Sequence, residues 1–298
     1  MPRVQLNGFF RPDFVTDRPV LVKMGEQVDG ALASNSARWT EIGNARHLQD
    51  SGLSEERFFA QHGFVLLRHD SAVTNWEIDP GSPAADTDIV RIYLPEVDAL
   101  IRRRLMPGAG LELWHSPSSY LRRGPGSASP FYGNGVHQDF GLTADDYQQA
   151  MEAFGTVEIA RQWRNRYDRD DVAGFMMIDF WRTTNMAQPL KHMPLAVCDP
   201  GSVSIEDVVP MGLLEFTPTG KPTNQLSLRM NDGQKWYYYP DMVGSEVLVL
   251  KIFEVFKSDP KRKVRTSFHT AFADPTAPED AEPRQSCEHR VGIFCLND

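Results

Sequence analysis

The run Gly174-Phe-Met-Met-Ile-Asp-Phe-Trp181 (GFMMIDFW) is the stretch on which the fold turns. An apolar segment of this length, broken only by Asp179 and followed by the polar Arg182-Thr183-Thr184-Asn185, suits a buried strand. Working outward, the same texture recurs in LELWHS (Leu111–Ser116), PLAVCD (Pro194–Asp199), WYYY (Trp236–Tyr239), EVLVLKIFE (Glu246–Glu254) and VGIFCL (Val291–Leu296). Clusters of Pro, Gly, Asn and Asp separate these runs, a spacing that predicts a β-sandwich or barrel. One helical insertion, about residues 143–170, interrupts them. Thr143-Ala-Asp-Asp146 resembles a capping box, and the helix it starts is expected to run to about Arg166.

The first third reads as mixed loop and helix. Ser54 is the expected N-cap of a short helix closed by Gly63, and FVLLRH (Phe64–His69) follows as a buried strand. Apolar positions from Ile89 to Leu105 repeat at helical spacing, with Pro95 suited to a first turn. No segment has the composition of an inter-domain linker. The expectation is one domain, residues 1–298, with an N-terminal helical layer and first strands (1–110) ahead of the β core (111–298).

Composition narrows the function classes. Hydrophobic residues at 41% supply a substantial core, so disorder is not the default. A net charge of −9 argues against nucleic acid as a partner, since phosphate binding needs a basic face. The basic run Lys261-Arg262-Lys263 with Arg265 reads as a solvated loop. Cys198, Cys287 and Cys295 form no CxxC pair and read as reduced thiols of a cytoplasmic protein. The opening MPRVQLNGFFRPDF carries no signal-peptide pattern, and no apolar stretch is long enough for a membrane helix.

Chemistry enters at YGNGVHQDF (Tyr132–Phe140). His137 and Asp139, two apart in an extended segment, point the same way and can reach one ion. Eight histidines and forty acids in 298 residues predict about one such pair by chance, so companions must decide. Two imidazoles and one carboxylate on one octahedral face suit Fe(II) and leave three positions open. His62, His69, His115 and His192 read as structural or solvated. His269, in RTSFHTAF, lies in a strand-like segment before a Pro-rich loop and a last strand. On that strand, alternation places Arg284, Ser286, Glu288 and Arg290 on one face. Two arginines on an inner wall call for an anionic partner, and the guanidinium fork fits a carboxylate. A wet edge strand with Arg290 paired to Glu288 or another acid is the plainer alternative.

Further blocks carry a family resemblance. Phe175–Val203 (FMMIDFWRTTNMAQPLKHMPLAVCDPGSV) resembles the "N-x-W-R-P…P-L-A-x-C-D" segment of the CmcJ-type oxygenases, named for cephamycin C biosynthesis. WYYYPDMVGSEVLVLKIFE, HTAFADPTAPEDAEPRQSCEHR and GFVLLRHDSAV resemble their other blocks, in the same order along the chain. Departures are Thr183 for the family's Pro, Gln285 for its Glu, and Ile252-Phe253-Glu254 for its Tyr-Asp-Ser; they bear on substrate identity.

The resemblance implies a double-stranded β-helix (jelly-roll, cupin-like) core with flanking helices. It implies Fe(II) on His137, Asp139 and His269, with 2-oxoglutarate and O2 as cosubstrates. The 2-oxoglutarate carboxylate is expected on Arg284 and Ser286, with Arg290 the competing choice. Arg182, Trp181 and Trp236 are the candidate substrate contacts. The implied activity is C–H oxidation of a small secondary-metabolite or amino-acid-derived molecule, with outcomes from hydroxylation to desaturation, ring closure or peroxide formation. A small-molecule substrate is the expected partner, with no nucleic acid or membrane, and a homodimer is a permitted assembly. A cupin-like metal holder, or a metal-dependent hydrolase or isomerase that ignores 2-oxoglutarate, is the alternative.

Overall fold

GFMMIDFW lies in the middle of the longest strand of a computed structural model that describes residues 2–23, 37–78, 86–115, 119–155, 157–259 and 264–297. The strands of the first half are β1 (Arg3–Leu6), β2 (Val20–Lys23), β3 (Arg38–Asn44), β4 (Phe64–Arg68), β5 (Leu111–Trp114) and β6 (Tyr120–Arg123). Then come β7 (Val172–Thr183), β8 (Leu195–Cys198), β9 (Val208–Leu214) and β10 (Gln225–Leu228). The chain closes with β11 (Trp236–Tyr238), β12 (Glu246–Phe256), β13 (His269–Ala271) and β14 (Ser286–Leu296).

The large sheet runs β4-β12-β7-β14-β5, with β6 also paired to β14, and all its pairs are antiparallel. Its two central strands, β7 and β14, are apolar on both faces over most of their length, because helices cover one side and the second layer covers the other. That second layer comprises a five-stranded sheet, β1-β3-β11-β8-β13, and a three-stranded sheet, β10-β9-β2. The segment around His137 stitches these two together: His137 bridges to His269, and Gln138 bridges to Leu226. The architecture is a jelly roll with flanking helices.

Strands β1, β2 and β3 correct the reading of the first third, since both smaller sheets draw on residues before 45. These strands are short and find their partners far along the chain, β3 on β11 and β2 on β9. Local patterning carries little trace of such pairing.

The helices follow their end signals. Ser54 caps α2 (Glu55–His62), which follows a short α1 (Ala45–Gln49), and Gly63 ends α2 at φ 69°. Residues 89–105 are helical throughout: wide turns flank α3 (Leu94–Leu100), whose first turn holds Pro95. The expected long helix after Thr143 is two helices, α4 (Ala144–Ala153) and α5 (Val157–Tyr167). The break falls at Gly155, whose φ of 80° lies in the left-handed region that ends helices. The Thr143/Asp146 capping box is complete in both directions. Thr143→Ala is expected to lower stability by about 1 kcal/mol, read as a shift in the urea midpoint with unchanged slope.

Packing against the outer face of the large sheet buries His289 beside His115 and Tyr93, with neither ring nitrogen hydrogen-bonded. Burial, reinforced by His115, pushes its pKa down from 6.5 to about 3. Above pH 6.5 the ring is neutral in both folded and unfolded chains. As the pH falls through 6.5 the unfolded chain takes up a proton that the folded chain refuses, so stability is lost. By pH 5 the loss from this one group is about 2 kcal/mol. His289→Leu is expected to reduce the drop in stability between pH 7 and pH 5 by that amount, measured by denaturant titration at each pH.

Among the described residues no helix is long and apolar enough to cross a membrane. The basic run Lys261-Arg262-Lys263 lies outside the described residues, while Arg265 pairs with Asp259 and Glu254. Cys198 and Cys287 are buried free thiols, and Cys295 is half-buried and free.

Candidate metal centre

His137, Asp139 and His269 each offer one ligand atom, and these atoms lie within 4.8 Å of one another. The bridge between the two histidine backbones is what gathers them. His137 N donates to His269 O at 3.1 Å and His269 N to His137 O at 2.9 Å, so the side chains emerge side by side with ring centroids 4.4 Å apart. Two glycines allow the approach. A Cβ on Gly8, whose φ is 90°, would sit 2.6 Å from Val136 N. One on Gly133 would press on the His137 ring at 3.4 Å.

Each histidine is oriented by its own backbone. His137 Nδ1 lies 2.7 Å from Gly135 O and His269 Nδ1 lies 3.2 Å from Ser267 O. In the neutral ring Nδ1 is then the donor, which leaves the Nε2 lone pair free for an ion. Burial pushes the His269 pKa down to about 4, with His137 adding to the shift, so the ring stays neutral near pH 7. Burial alone would raise Asp139; Arg290 and the two histidines outweigh it and hold the carboxyl down at about 2. The donor set is two imidazole nitrogens and one carboxylate, which suits Fe(II). Gln138 faces away from it, its amide bonded to Phe140 O and to the Thr266 hydroxyl.

Register places the wall of the site. Asp179 stands opposite Arg290, Trp181 opposite Glu288, and Thr183 opposite Ser286, so these side chains share the inner face of the large sheet. Arg284, two residues before Ser286, is 2% exposed and its guanidinium lies between the rings of Tyr132 at 4.1 Å and Trp181 at 5.4 Å. It donates to Met193 O, but Nε has no partner and no carboxylate pairs with it among the described residues. Burial pushes its pKa down to about 10. The hydroxyls of Ser286 and Thr183 are likewise buried without partners. Buried polar groups are rarely left so, and a cation with two idle hydroxyls beside it fits an anionic oxygen ligand.

The other predicted residues divide. Arg290 is not a free clamp: it holds Asp139 Oδ2 at 3.0 Å and Glu288 Oε1 at 3.0 Å. Trp181 is on the inner face as expected. Arg182 is not, and the substrate-facing role read for it is corrected. As Trp181's neighbour on a strand it points to the opposite side, where it bonds His69 O and Gly244 O and stacks over Trp76. Trp236 is corrected too: it pairs with Cys198 and packs edge-on to Phe9, while Tyr237, paired with Val197, shares the face of His269. His62 bonds Asp199, His115 bonds Asp98, and His192 packs against Tyr132. Tyr132, Thr183, Asp179 and Glu288 went unnoticed as site residues, although alternation from Trp181 points to Thr183 and Asp179.

A family model described as "Oxidoreductase/YMDC permease-like domain" matches residues 9–294. The chain is 31% identical over 121 residues to "Fe(II)/2-oxoglutarate-dependent dioxygenase nvfI" of Aspergillus novofumigatus, covering 40% of this chain and 41% of that one. It is 30% identical over 127 residues to "Hydroxylase/desaturase asaB" of Aspergillus flavus, covering 38% and 55%. The chain thus matches less than two thirds of the length of either relative. Two solved structures of "iron and alpha-ketoglutarate-dependent endoperoxidase NvfI" superpose with TM-scores of 0.64 and 0.61 at 23% identity. They cover 99% of this chain and 99% and 98% of theirs, a likeness of fold over the whole length. With the family model spanning nearly all of it, the chain belongs to the oxidoreductase/YMDC permease-like domain family.

Proposed function

We propose that this chain is a non-heme Fe(II)- and 2-oxoglutarate-dependent oxygenase acting on a C–H bond of a small molecule. The observation that carries the reading is a buried arginine with no carboxylate paired to it among the described residues, in the same wall as a two-histidine, one-carboxylate cluster. A protein that only holds a metal has no use for Arg284, whose burial without an anion costs stability.

In this reading His137, Asp139 and His269 hold the iron by one atom each. Arg284, with the hydroxyls of Ser286 and Thr183, binds the distal carboxylate of 2-oxoglutarate. Bound iron supplies O2 activation coupled to decarboxylation of 2-oxoglutarate to succinate and CO2, with oxidation of the substrate. The chain's part is to orient both ligands, keep His269 neutral and exclude water. Tyr132 and Trp181 pack against the Arg284 guanidinium, at 4.1 and 5.4 Å from their ring centroids, and so help to position it. The similarity to a fungal dioxygenase and a fungal hydroxylase/desaturase, and the CmcJ-type blocks in the sequence, support a place in secondary metabolism.

Anaerobic addition of Fe(II) and 2-oxoglutarate is expected to give the weak visible charge-transfer band of such complexes, absent in His137→Ala. Metal binding with no band and no succinate release under O2 would favour the cupin-like holder or the hydrolase instead.

A further inference from the structure

Asp139 has two oxygens, and they face different partners. Oδ1 lies 3.5 Å from His137 Nε2, on the side of the cluster. Oδ2 forms an ion pair with Arg290 Nη2 at 3.0 Å, and the same nitrogen donates to Glu288 Oε1 at 3.0 Å. Arg290 is itself well held. Its backbone N donates to Ser119 O at 2.9 Å, and its residue stands in register with Asp179 across the β7–β14 pair. Glu288 is steadied in turn by Arg123 at 3.6 Å. A fully engaged, nine-tenths-buried carboxylate in a charge-assisted pair does not rotate freely.

This has a consequence for coordination number. A carboxylate giving one oxygen to an ion uses one position, and one giving both uses two. Two imidazoles and a one-oxygen carboxylate leave three of six positions, enough for a two-point cosubstrate and O2; a two-oxygen carboxylate leaves one too few. We infer that Arg290 is a positioning residue that fixes Asp139 in the one-oxygen mode by occupying Oδ2, and so keeps the third position of the metal open. The inference rests on the metal reading of the triad proposed above and assigns to Arg290 a role other than cosubstrate clamp.

The test uses full-length protein labelled with 13C-aspartate and Mn(II) as the probe ion. The Mn(II)-induced infrared difference spectrum reports Asp139, identified by the band's loss in Asp139→Asn. Wild type is expected to show the wide separation of antisymmetric and symmetric stretches that marks one-oxygen binding. Arg290→Met is expected to narrow it, with 2-oxoglutarate affinity of the Mn(II)-loaded protein down by about 10-fold or more. Arg290→Lys, which keeps a charged donor, is expected to retain the wide separation. A wide separation unchanged in Arg290→Met overturns the role of Arg290. A narrow one in wild type does so even if the variant fails to fold. No Mn(II)-induced band in wild type overturns the metal reading of the triad together with it.

Discussion

His269→Ala is expected to lower metal affinity by about 100-fold or more and to reduce 2-oxoglutarate-dependent succinate release to background. The effect is large because His269 supplies one of only three ligand atoms in the cluster, and no other described His, Cys, Asp or Glu joins the group. Its ring is pre-oriented by Ser267 O and kept neutral by burial, so both the lone pair and its direction are lost together. Anaerobic titration with Co(II), followed by its visible bands, measures the first quantity, and a succinate assay the second. Asp139→Ala is expected to be as inactive but also less stable, by about 1–3 kcal/mol, because half-buried Arg290 loses one of its two carboxylate partners. His269→Ala leaves that ion pair intact. Unchanged Co(II) affinity in His269→Ala would place the ion elsewhere and remove the basis of the proposed activity.

Arg284→Met is expected to separate function from stability. A charge-assisted, buried carboxylate contact is worth about 2–5 kcal/mol when one partner is truncated, so the KM for 2-oxoglutarate should rise about 30-fold or more. Without ligand the same guanidinium is 2% exposed with no counter-charge among the described residues. Replacing it with an apolar side chain of similar length should therefore leave the ligand-free protein as stable, or more stable by about 1–4 kcal/mol. Metal affinity should hold, since Arg284 touches none of the three ligands in the contacts it makes. A melting temperature that falls sharply, with an unaltered KM, would make Arg284 a structural residue.

The long strands of the large sheet could be read from the chain because apolar runs bounded by Gly, Pro and Asp are local facts. GFMMIDFW, EVLVLKIFE and VGIFCL all became central strands of the large sheet. The capping box at Thr143 was legible for the same reason, whereas the stop at Gly155 was overlooked inside an otherwise helical stretch. Faces were legible only in part. Alternation put Arg284, Ser286, Glu288 and Arg290 on one side, as the register with β7 bears out for Ser286, Glu288 and Arg290. Applied to Trp181 and Arg182 it would have separated them, and the single charge drew attention to the wrong neighbour. Trp236 could not be resolved this way, because β11 is short and lies between β3 and β8. No polar stripe marks which of its sides looks inward.

Taken alone, the sequence determined which ligand types are present and in what order: an imidazole, a carboxylate, a second imidazole, then two arginines on one strand face. Those are properties of residue identity and of a period-two backbone. Only the tertiary structure decided which arginine meets which anion. Arg290 reaches Asp139 because the bridge between His137 and His269 brings that loop over one end of β14. Arg284 lies six residues earlier, roughly 20 Å along an extended strand, and is left with aromatic faces and idle hydroxyls. Charge pairing depends on distances between segments more than a hundred residues apart, and those distances are set by packing and strand register, not by spacing along the chain.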